Sequence, residues 1–170
     1  MLLWSGVVGR WMLHAGTAEE NMSTVWAQLR EHLRARHVTT CFRNLHIGMF
    51  TKASRPNANF PKLKGRAAEI KSLGGPLLAV WSSYMDNTSV VHRQLHLMLR
   101  CCVHMDTMIQ THKDLNKYPE PIFSEFMKTC ENYLVVYTAL AGHYNSIGVK
   151  VFNVVKNTIS YGTWLGCRST

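Results

Sequence analysis

Histidines recur between Thr88 and Leu115 at a spacing that could bring two of them onto one metal ion. His92 and His96 stand four residues apart, so on a helix their side chains would share a face. A zinc site needs at least a third protein ligand, and the motif HRQLH lacks the glutamate of an HExxH metalloprotease. His92 and His96 are therefore minor metal candidates, and we expect no metal or other cofactor. A histidine-dependent metal enzyme is an alternative that requires a ligand from another helix.

The two histidines begin a longer series at four-residue spacing. Each four-residue step drifts by about 40° around a helix, because one turn holds about 3.6 residues. The series therefore winds away from the apolar stripe of the same segment and produces a histidine-rich side. Its members are His92, His96, Arg100, His104, Met108 and His112.

Nucleophilic catalysis has few candidates in this chain. Cys101 and Cys130 fall among apolar residues, where thiols usually serve as packing. Ser82-Ser83 lacks the GxSxG turn of hydrolases, and Gly74-Gly75-Pro76 lacks the lysine and spacing of a phosphate-binding loop. The carboxylates are few and scattered, so no catalytic residue is assigned and a non-enzymatic protein is expected.

Basic residues are concentrated in one segment. The whole chain has a formal net charge of +9, and residues 30–71 hold ten lysines and arginines against only Glu31 and Glu69, a net of +8. Such a field favours a polyanion, which could be nucleic acid, an anionic membrane surface or an acidic protein. The alternative is a solvated basic surface without a specific partner. The basic residues are Arg30, Arg34, Arg36, Arg43, Lys52, Arg55, Lys62, Lys64, Arg66 and Lys71.

Aromatic residues interleave this basic segment. Phe42, Phe50 and Phe60 could provide stacking platforms beside phosphate contacts, although Phe42 and Phe60 could equally be core residues. No helix-turn-helix, zinc-finger or RNP pattern accompanies them. The sequence therefore predicts contacts with the backbone phosphates of DNA or RNA, without sequence-specific recognition.

The cysteine usage and the amino terminus bear on location. The five cysteines form no CxxC pair and no disulfide framework, which indicates reduced thiols in an intracellular protein, with the nucleus as one option.

Residues 1–16 are apolar but shorter than the roughly 20 residues that span a bilayer, so no transmembrane segment is expected. We interpret them as a leader or a ragged amino terminus. The oligomeric state is left open.

Helical periodicity dominates the first half of the chain. Thr17 and Glu20 have the spacing of a capping box, which opens a helix to about Arg36. A short helix over 41–50, a polar loop over 51–59 and a helix ending at Gly74-Gly75 are expected next. The apolar stripe of the first helix is Ala18, Met22, Val25, Trp26, Leu29 and Leu33.

The second half predicts two long helices after a buried apolar segment over 76–85. The central helix runs from about Thr88 to Leu115, and the next begins after the break at Pro119 and Pro121. Residues 149–166 are assigned to a further helix. The central helix has the stripe Val91, Leu95, Met98, Leu99, Cys102, Met105 and Ile109. The next has Phe123, Phe126, Met127, Cys130, Leu134, Tyr137, Ala141 and Tyr144.

These elements predict an all-α fold, a single-domain helical bundle of five to seven helices. The domain is expected over residues 17–165, with 166–170 as a tail.

Two sequence blocks carry a resemblance to a known family. FPKLKGRAAEIKSLGGPLL (60–78) and GHYNSIGVKVFNVVKN (142–157) resemble the FPxLKGxAAE-like and HYxxxxxxLFN-like blocks of a repetitive family of open reading frames from dinoflagellate genomes. That family is similar in character to proteins of mobile elements, such as the helical tail of a transposase. The resemblance covers about residues 39–157. It implies two long helices between the blocks and carries over no catalytic residue.

The chain departs from that family after the second block. Family members continue with a lysine- and histidine-rich helix and an acidic, tryptophan-containing motif, whereas residues 154–166 have no histidine here. A truncated or decayed copy is therefore expected. The leading hypothesis is a non-enzymatic, nucleic-acid-associated helical module of a mobile-element-like protein. The alternative is a protein-interaction or structural helical remnant with no nucleic-acid ligand.

Overall fold

The structure, a computed structural model, describes residues 17–39, 42–49, 63, 65–149 and 152. Within these ranges the chain is helical and contains no strand, so the all-α prediction is confirmed for this part of the chain. The helices are α1 (Ala18–Ala35), α2 (Ala67–Ser72), α3 (Gly74–Tyr84), α4 (Val90–Thr111) and α5 (Glu120–Ser146), and a 3-10 turn spans Ile47–Met49.

Helix α1 forms as its sequence predicts. The Thr17 hydroxyl accepts from the Glu20 amide at 3.2 Å, and the Glu20 carboxylate accepts from the Thr17 amide at 2.7 Å, which completes the capping box. The helix ends at Ala35, and His37, two residues further on, has a positive φ of 52° that turns the chain so that the Val38 amide donates to the Leu33 carbonyl. Five residues of its predicted apolar stripe are buried: Met22, Val25, Trp26, Leu29 and Leu33.

Helices α2 and α3 are nearly continuous, which corrects the predicted break at Gly74-Gly75. Only Leu73 separates them, its backbone is α-helical, and its carbonyl accepts from the Leu77 amide at 2.8 Å. Leu73 is 1% exposed, and its burial anchors the junction. The described residues therefore hold four helical units, while five to seven helices and a bundle for the whole chain stay predictions.

Residues 42–49 form less helix than predicted. The expected helix over 41–50 reduces to the 3-10 turn at Ile47–Met49. Phe42 and Leu45 are nevertheless buried and Met49 is half-buried, so this segment still packs on the first core.

Helix α3 lies between two apolar cores. It packs against α1 on one side and α4 on the other, and α5 packs on α4. Its adjacent residues Val80 and Trp81 point into different cores. The first core contains Met22, Val25, Trp26, Leu29, Leu33, Phe42, Leu45, Leu73 and Val80. The second contains Trp81, Leu95, Met98, Val136, Leu140, Ala141, Tyr144 and Phe152.

The two long helices bury only part of the predicted stripes; on α4, Leu95 and Met98 are buried as predicted. On α4, Cys101 and Met108 are buried, whereas Cys102 and Ile109 of the predicted stripe are exposed. On α5, Ala141 and Tyr144 are buried, but the predicted stripe residues Phe123, Met127 and Leu134 are exposed. The reason on α5 is that α4 covers the face carrying Thr129, Val136 and Leu140.

A glycine inside α5 and a glycine just beyond its carboxyl end give opposite expectations for the same substitution. Gly148→Ala should lower the free energy of unfolding by about 1 kcal/mol, because Gly148 has φ +72° and a Cβ is strained there. Gly142→Ala should raise it by up to about 1 kcal/mol, because Gly142 lies inside the helix. Neither added Cβ meets an atom within 4 Å, so packing cannot account for the difference. Urea denaturation measures both, and equal signs would contradict the backbone explanation.

Several predicted features lie outside the described residues. These are the leader at 1–16, the loop at 51–59, most of the helix assigned to 149–166 and the tail at 166–170. None of the helices in the described ranges combines the length and hydropathy needed to cross a membrane.

Candidate nucleic-acid interface

The predicted phosphate contacts divide between described and undescribed residues. Six are described and every one is exposed: Arg30, Arg34, Arg36, Arg43, Arg66 and Lys71. Lys52, Arg55, Lys62 and Lys64 lie outside the described residues. The five arginines among these six residues form no ion pair with a carboxylate of the described part of the chain, so their charges are available to an external anion.

Three of these arginines cluster at the carboxyl end of α1. Arg30 and Arg34 are one turn apart and occupy the side of the helix away from its buried stripe. Arg36 caps the same end, and its guanidinium lies over Gly75 at the start of α3, where a Cβ would collide with Nη1. Because Gly75 has no side chain, the Arg36 guanidinium has room to lie against the start of α3.

A groove of about 740 Å³ begins at Arg36 and is bounded by three segments distant in sequence. It combines the end of α1, the α2–α3 junction and one face of α4. Its lining residues are Arg36–Thr39, Ala68, Ile70–Ser72, Gly74, Gly75, Cys102, Val103, Asp106, Thr107 and Gln110. The fold thus brings Arg36 and Lys71, which are 35 positions apart, to one concave surface.

An ion pair crosses this groove. Lys71 Nζ on α2 lies 3.0 Å from Asp106 Oδ1 on α4, and the two side chains are 45% and 42% exposed. At this exposure the pair contributes about 1 kcal/mol or less. Sequence reasoning identified Lys71 but missed Asp106, Thr107 and Gln110, because their periodicity on α4 contains no information about which helix they face.

The groove fits a sugar-phosphate backbone better than a base. Among its described lining residues there is no phenylalanine, tyrosine or tryptophan, and His37 supplies a single imidazole ring, so support for stacking of bases is small there. Phe42, one of the proposed stacking residues, is 5% exposed and belongs to the first core. Phe50 and Phe60 lie outside the described residues.

The two metal candidates have other partners at the turn between α3 and α4. His92 Nδ1 accepts from the Asp86 amide at 3.0 Å, and the His92 ring packs edge-on against Trp81. His96 Nε2 lies 3.1 Å from Ser82 Oγ. Both histidines are half-buried and connect α4 to α3.

The later histidines of the series link α4 to the following segment. His104 Nε2 lies 2.9 Å from Glu125 Oε1 on α5, and the His112 ring packs edge-on against Tyr118. Across the described ranges, no group of three or more histidine, cysteine, aspartate or glutamate side chains is placed to hold a metal ion. The series therefore joins helices in this structure.

The possible nucleophiles are placed poorly for catalysis. Burial raises the pKa of the Cys101 thiol, which favours its protonated form. Ser82 donates its single hydroxyl hydrogen to the Leu78 carbonyl at 2.7 Å, so the contact with His96 requires the histidine to donate. In that arrangement His96 cannot act as a base towards Ser82.

Asp86 gives the α3–α4 turn a specific pH dependence. Hydrogen bonds from the Thr88 hydroxyl and amide, at 2.7 and 2.8 Å, lower the pKa of the Asp86 carboxyl below its ordinary value. The contribution of this ionised carboxylate should be complete above its unfolded pKa and be lost as the pH falls below about 4.

The comparison variant is Asp86→Asn, which keeps the shape and removes the charge. Denaturation at about pH 6 and about pH 3 should show that the stability difference between wild type and variant shrinks at the lower pH. A difference that stays constant would mean that the carboxylate charge does not stabilise the turn.

Comparison of the chain with protein-family models, curated proteins and solved structures found no match. The resemblance to the dinoflagellate reading-frame family therefore stays a prediction from its two blocks. Of those blocks, the structure describes residues 63, 65–78, 142–149 and 152.

Proposed function

We propose that this protein is a non-enzymatic helical module that binds DNA or RNA through backbone phosphates, as part of a mobile-element-like protein. The observation that supports this most is the group of exposed arginines at the end of α1, none paired with a described carboxylate, beside a groove that also holds Lys71. Arginine binds phosphate oxygens with two parallel hydrogen bonds, and an accessible guanidinium without a carboxylate partner is ready to do so.

The wider proposal concerns the whole chain. It is a bundle of five to seven helices, it acts inside the cell with the nucleus as one location, and Lys52, Arg55, Lys62 and Lys64 supply further phosphate contacts. Support comes from the concentration of +8 charge in residues 30–71 and from the helices already described.

The experiment that tests this function is fluorescence-anisotropy binding to a generic duplex and a single strand across a salt series. We expect log Kobs to fall linearly with log salt concentration, with a slope of about −0.9 per phosphate contact on duplex DNA. No binding to either strand form at low salt would end the nucleic-acid proposal.

Within this proposal, Asp106 competes with phosphate for Lys71. Asp106→Asn removes the carboxylate that holds Lys71 at 3.0 Å, and so frees one more cation. The variant should bind duplex about tenfold more tightly at about 0.1 M salt, with a slope steeper by about one. Anisotropy titration of wild type and variant measures both quantities.

Glu19→Gln is the matched control for the charge change. Glu19 is exposed in the first turn of α1, about 25 Å from Arg36 along the helix. At that distance its charge is screened in about 0.1 M salt, so affinity should hardly change. Equal gains in both variants would show that net charge alone acts, and would contradict a role for the Lys71–Asp106 pair.

A protein-interaction module is the second candidate. The observation in its favour is the exposure of large apolar side chains on α5, where Val135 is 65% and Leu134 53% exposed. Contiguous exposed apolar surface commonly marks a docking site.

A further inference from the structure

The carboxyl-terminal half of α5 presents an uncharged face to solvent. Between Glu131 and His143 the helix carries no acidic, basic or histidine residue. The exposed residues of this stretch include Leu134, Val135, Thr138, Ala139 and Gly142, which we call the α5 apolar face. None of them lines the groove that contains Arg36 and Lys71, which we call the basic groove, so this surface is separate from the proposed phosphate site.

Two features make the α5 apolar face suitable for burial. The Thr138 hydroxyl donates to the Leu134 carbonyl at 2.9 Å, so covering Thr138 leaves no donor unsatisfied. Gly142 adds no side chain on the same side, and a Cβ there would have open space around it, with no neighbour within 4 Å; we call this position the Gly142 slot. The face thus offers protruding side chains beside a position that has none.

We propose that the α5 apolar face binds the same face of a second copy, with the two α5 helices antiparallel about a two-fold axis near Thr138. Leu134 and Gly142 lie four residues on either side of Thr138, about 6 Å each way along the axis. In this register Leu134 of each chain fits over Gly142 of the other, as an isologous interface requires. The large Leu134 side chain then faces a glycine, and pairing a large residue with a small one lets the two helices approach closely.

The flanking polar residues favour the antiparallel arrangement. Glu131 and Asn145 each lie seven residues from Thr138, on opposite sides of it. In the antiparallel pair, Glu131 of one chain therefore faces Asn145 of the other, and the Asn145 side-chain amide can donate a hydrogen bond to the Glu131 carboxylate. Lys128 reaches the carboxyl end of the second α5, where the helix dipole is negative. A parallel pair would instead place Glu131 against Glu131, and like charges repel.

The dimer carries two basic grooves on one assembly. A single helix pair covers less than the roughly 800 Å² per partner of a standard interface, so we expect a dissociation constant above about 1 μM. Dimer formation needs no nucleic acid, and its failure would leave the proposed function untouched.

Sedimentation equilibrium of the full chain tests the proposal. Wild type should shift from monomer to dimer as its concentration rises. Gly142→Leu should weaken association by at least about tenfold, because it fills the slot that receives Leu134. It should not unfold the monomer, since the site is open and leucine favours helix. Gly142→Ala is the control at the same position with a side chain too small to block the contact. Ile109→Glu is the control that adds a charge at an exposed apolar residue of α4, outside the proposed interface. Both variants should still dimerise.

A cysteine on the axis provides the second readout. Thr138→Cys should form a cross-linked dimer on mild oxidation, beyond the level that wild type gives through its own thiols. Ser124→Cys is also exposed on α5, but the antiparallel register puts its two copies about 42 Å apart, so no extra cross-link should form.

Three results would overturn the proposal. The first is a wild-type protein that stays monomeric at every concentration. The second is a dimer whose dissociation constant does not change in Gly142→Leu. The third is a monomer in which the thiol of Thr138→Cys is protected from labelling. The last would mean that another segment of the same chain covers the face.

Discussion

Replacing Arg30, Arg34 and Arg36 together by glutamine is expected to lower affinity for duplex DNA roughly 100- to 1,000-fold at about 0.1 M salt. Each lost phosphate contact removes the release of about 0.9 counterion, so three contacts amount to nearly three powers of ten at that salt concentration. The slope of log Kobs against log salt should become less steep by about three. All three side chains are exposed at the end of α1, so the substitutions remove charge without opening a core.

The matched control removes the same charge elsewhere. Lys113 and Lys117 lie in the connection between α4 and α5, and Lys128 lies on α5; all three are exposed, and none lines the basic groove. Their joint replacement by glutamine should change the slope by less than about one. If both triple variants lost affinity equally, binding would follow the net charge of +9 and not the arginines of α1.

Trp81→Ala is expected to lower the free energy of unfolding by about 3–5 kcal/mol, the largest effect of a single substitution. Trp81 is 1% exposed in the second core, contacts the His92 ring, and donates its indole N–H to the His92 carbonyl at 3.3 Å. Its truncation leaves a cavity between α3 and α4. The neighbouring residue Val80 belongs to the first core, where α3 packs against α1, so the cavity lies next to that contact as well.

Small domains are stable by only about 5–15 kcal/mol, so this variant should be close to unfolding at ordinary temperature. Thermal and urea denaturation followed by far-ultraviolet circular dichroism would measure the loss. Leu97→Ala, at a residue of α4 that is 42% exposed, should stay within about 0.5 kcal/mol of wild type. A Trp81→Ala variant as stable as Leu97→Ala would contradict the position of α3 between two cores.

Local chemistry predicted α1, but it predicted the buried faces of the later helices only in part. The Thr17–Glu20 capping box and the stripe through Leu29 act within a few residues, and both are present as expected. Phe123 and Met127 have the same helical spacing as core residues, yet they are exposed. Periodicity predicts which residues share a face, whereas burial depends on which neighbouring helix covers that face.

The candidate site was predictable as a list of cations and not as a surface. The excess of basic residues over 30–71 identified Arg36 and Lys71. Their meeting at one groove depends on Gly75 making room for the Arg36 guanidinium and on Asp106 of α4 reaching Lys71. Both are contacts between segments distant in sequence, and no local pattern contains them.

The most direct measurement of the central proposal is an amide NMR titration of the full chain with a short oligonucleotide. If the groove binds the phosphate backbone, amides of residues 34–39, 68–75 and 102–110 should shift together with one dissociation constant, while those of α5 stay in place. Shifts confined to one of these segments, or centred on α5, would contradict a nucleic-acid interface formed by α1, the α2–α3 junction and α4.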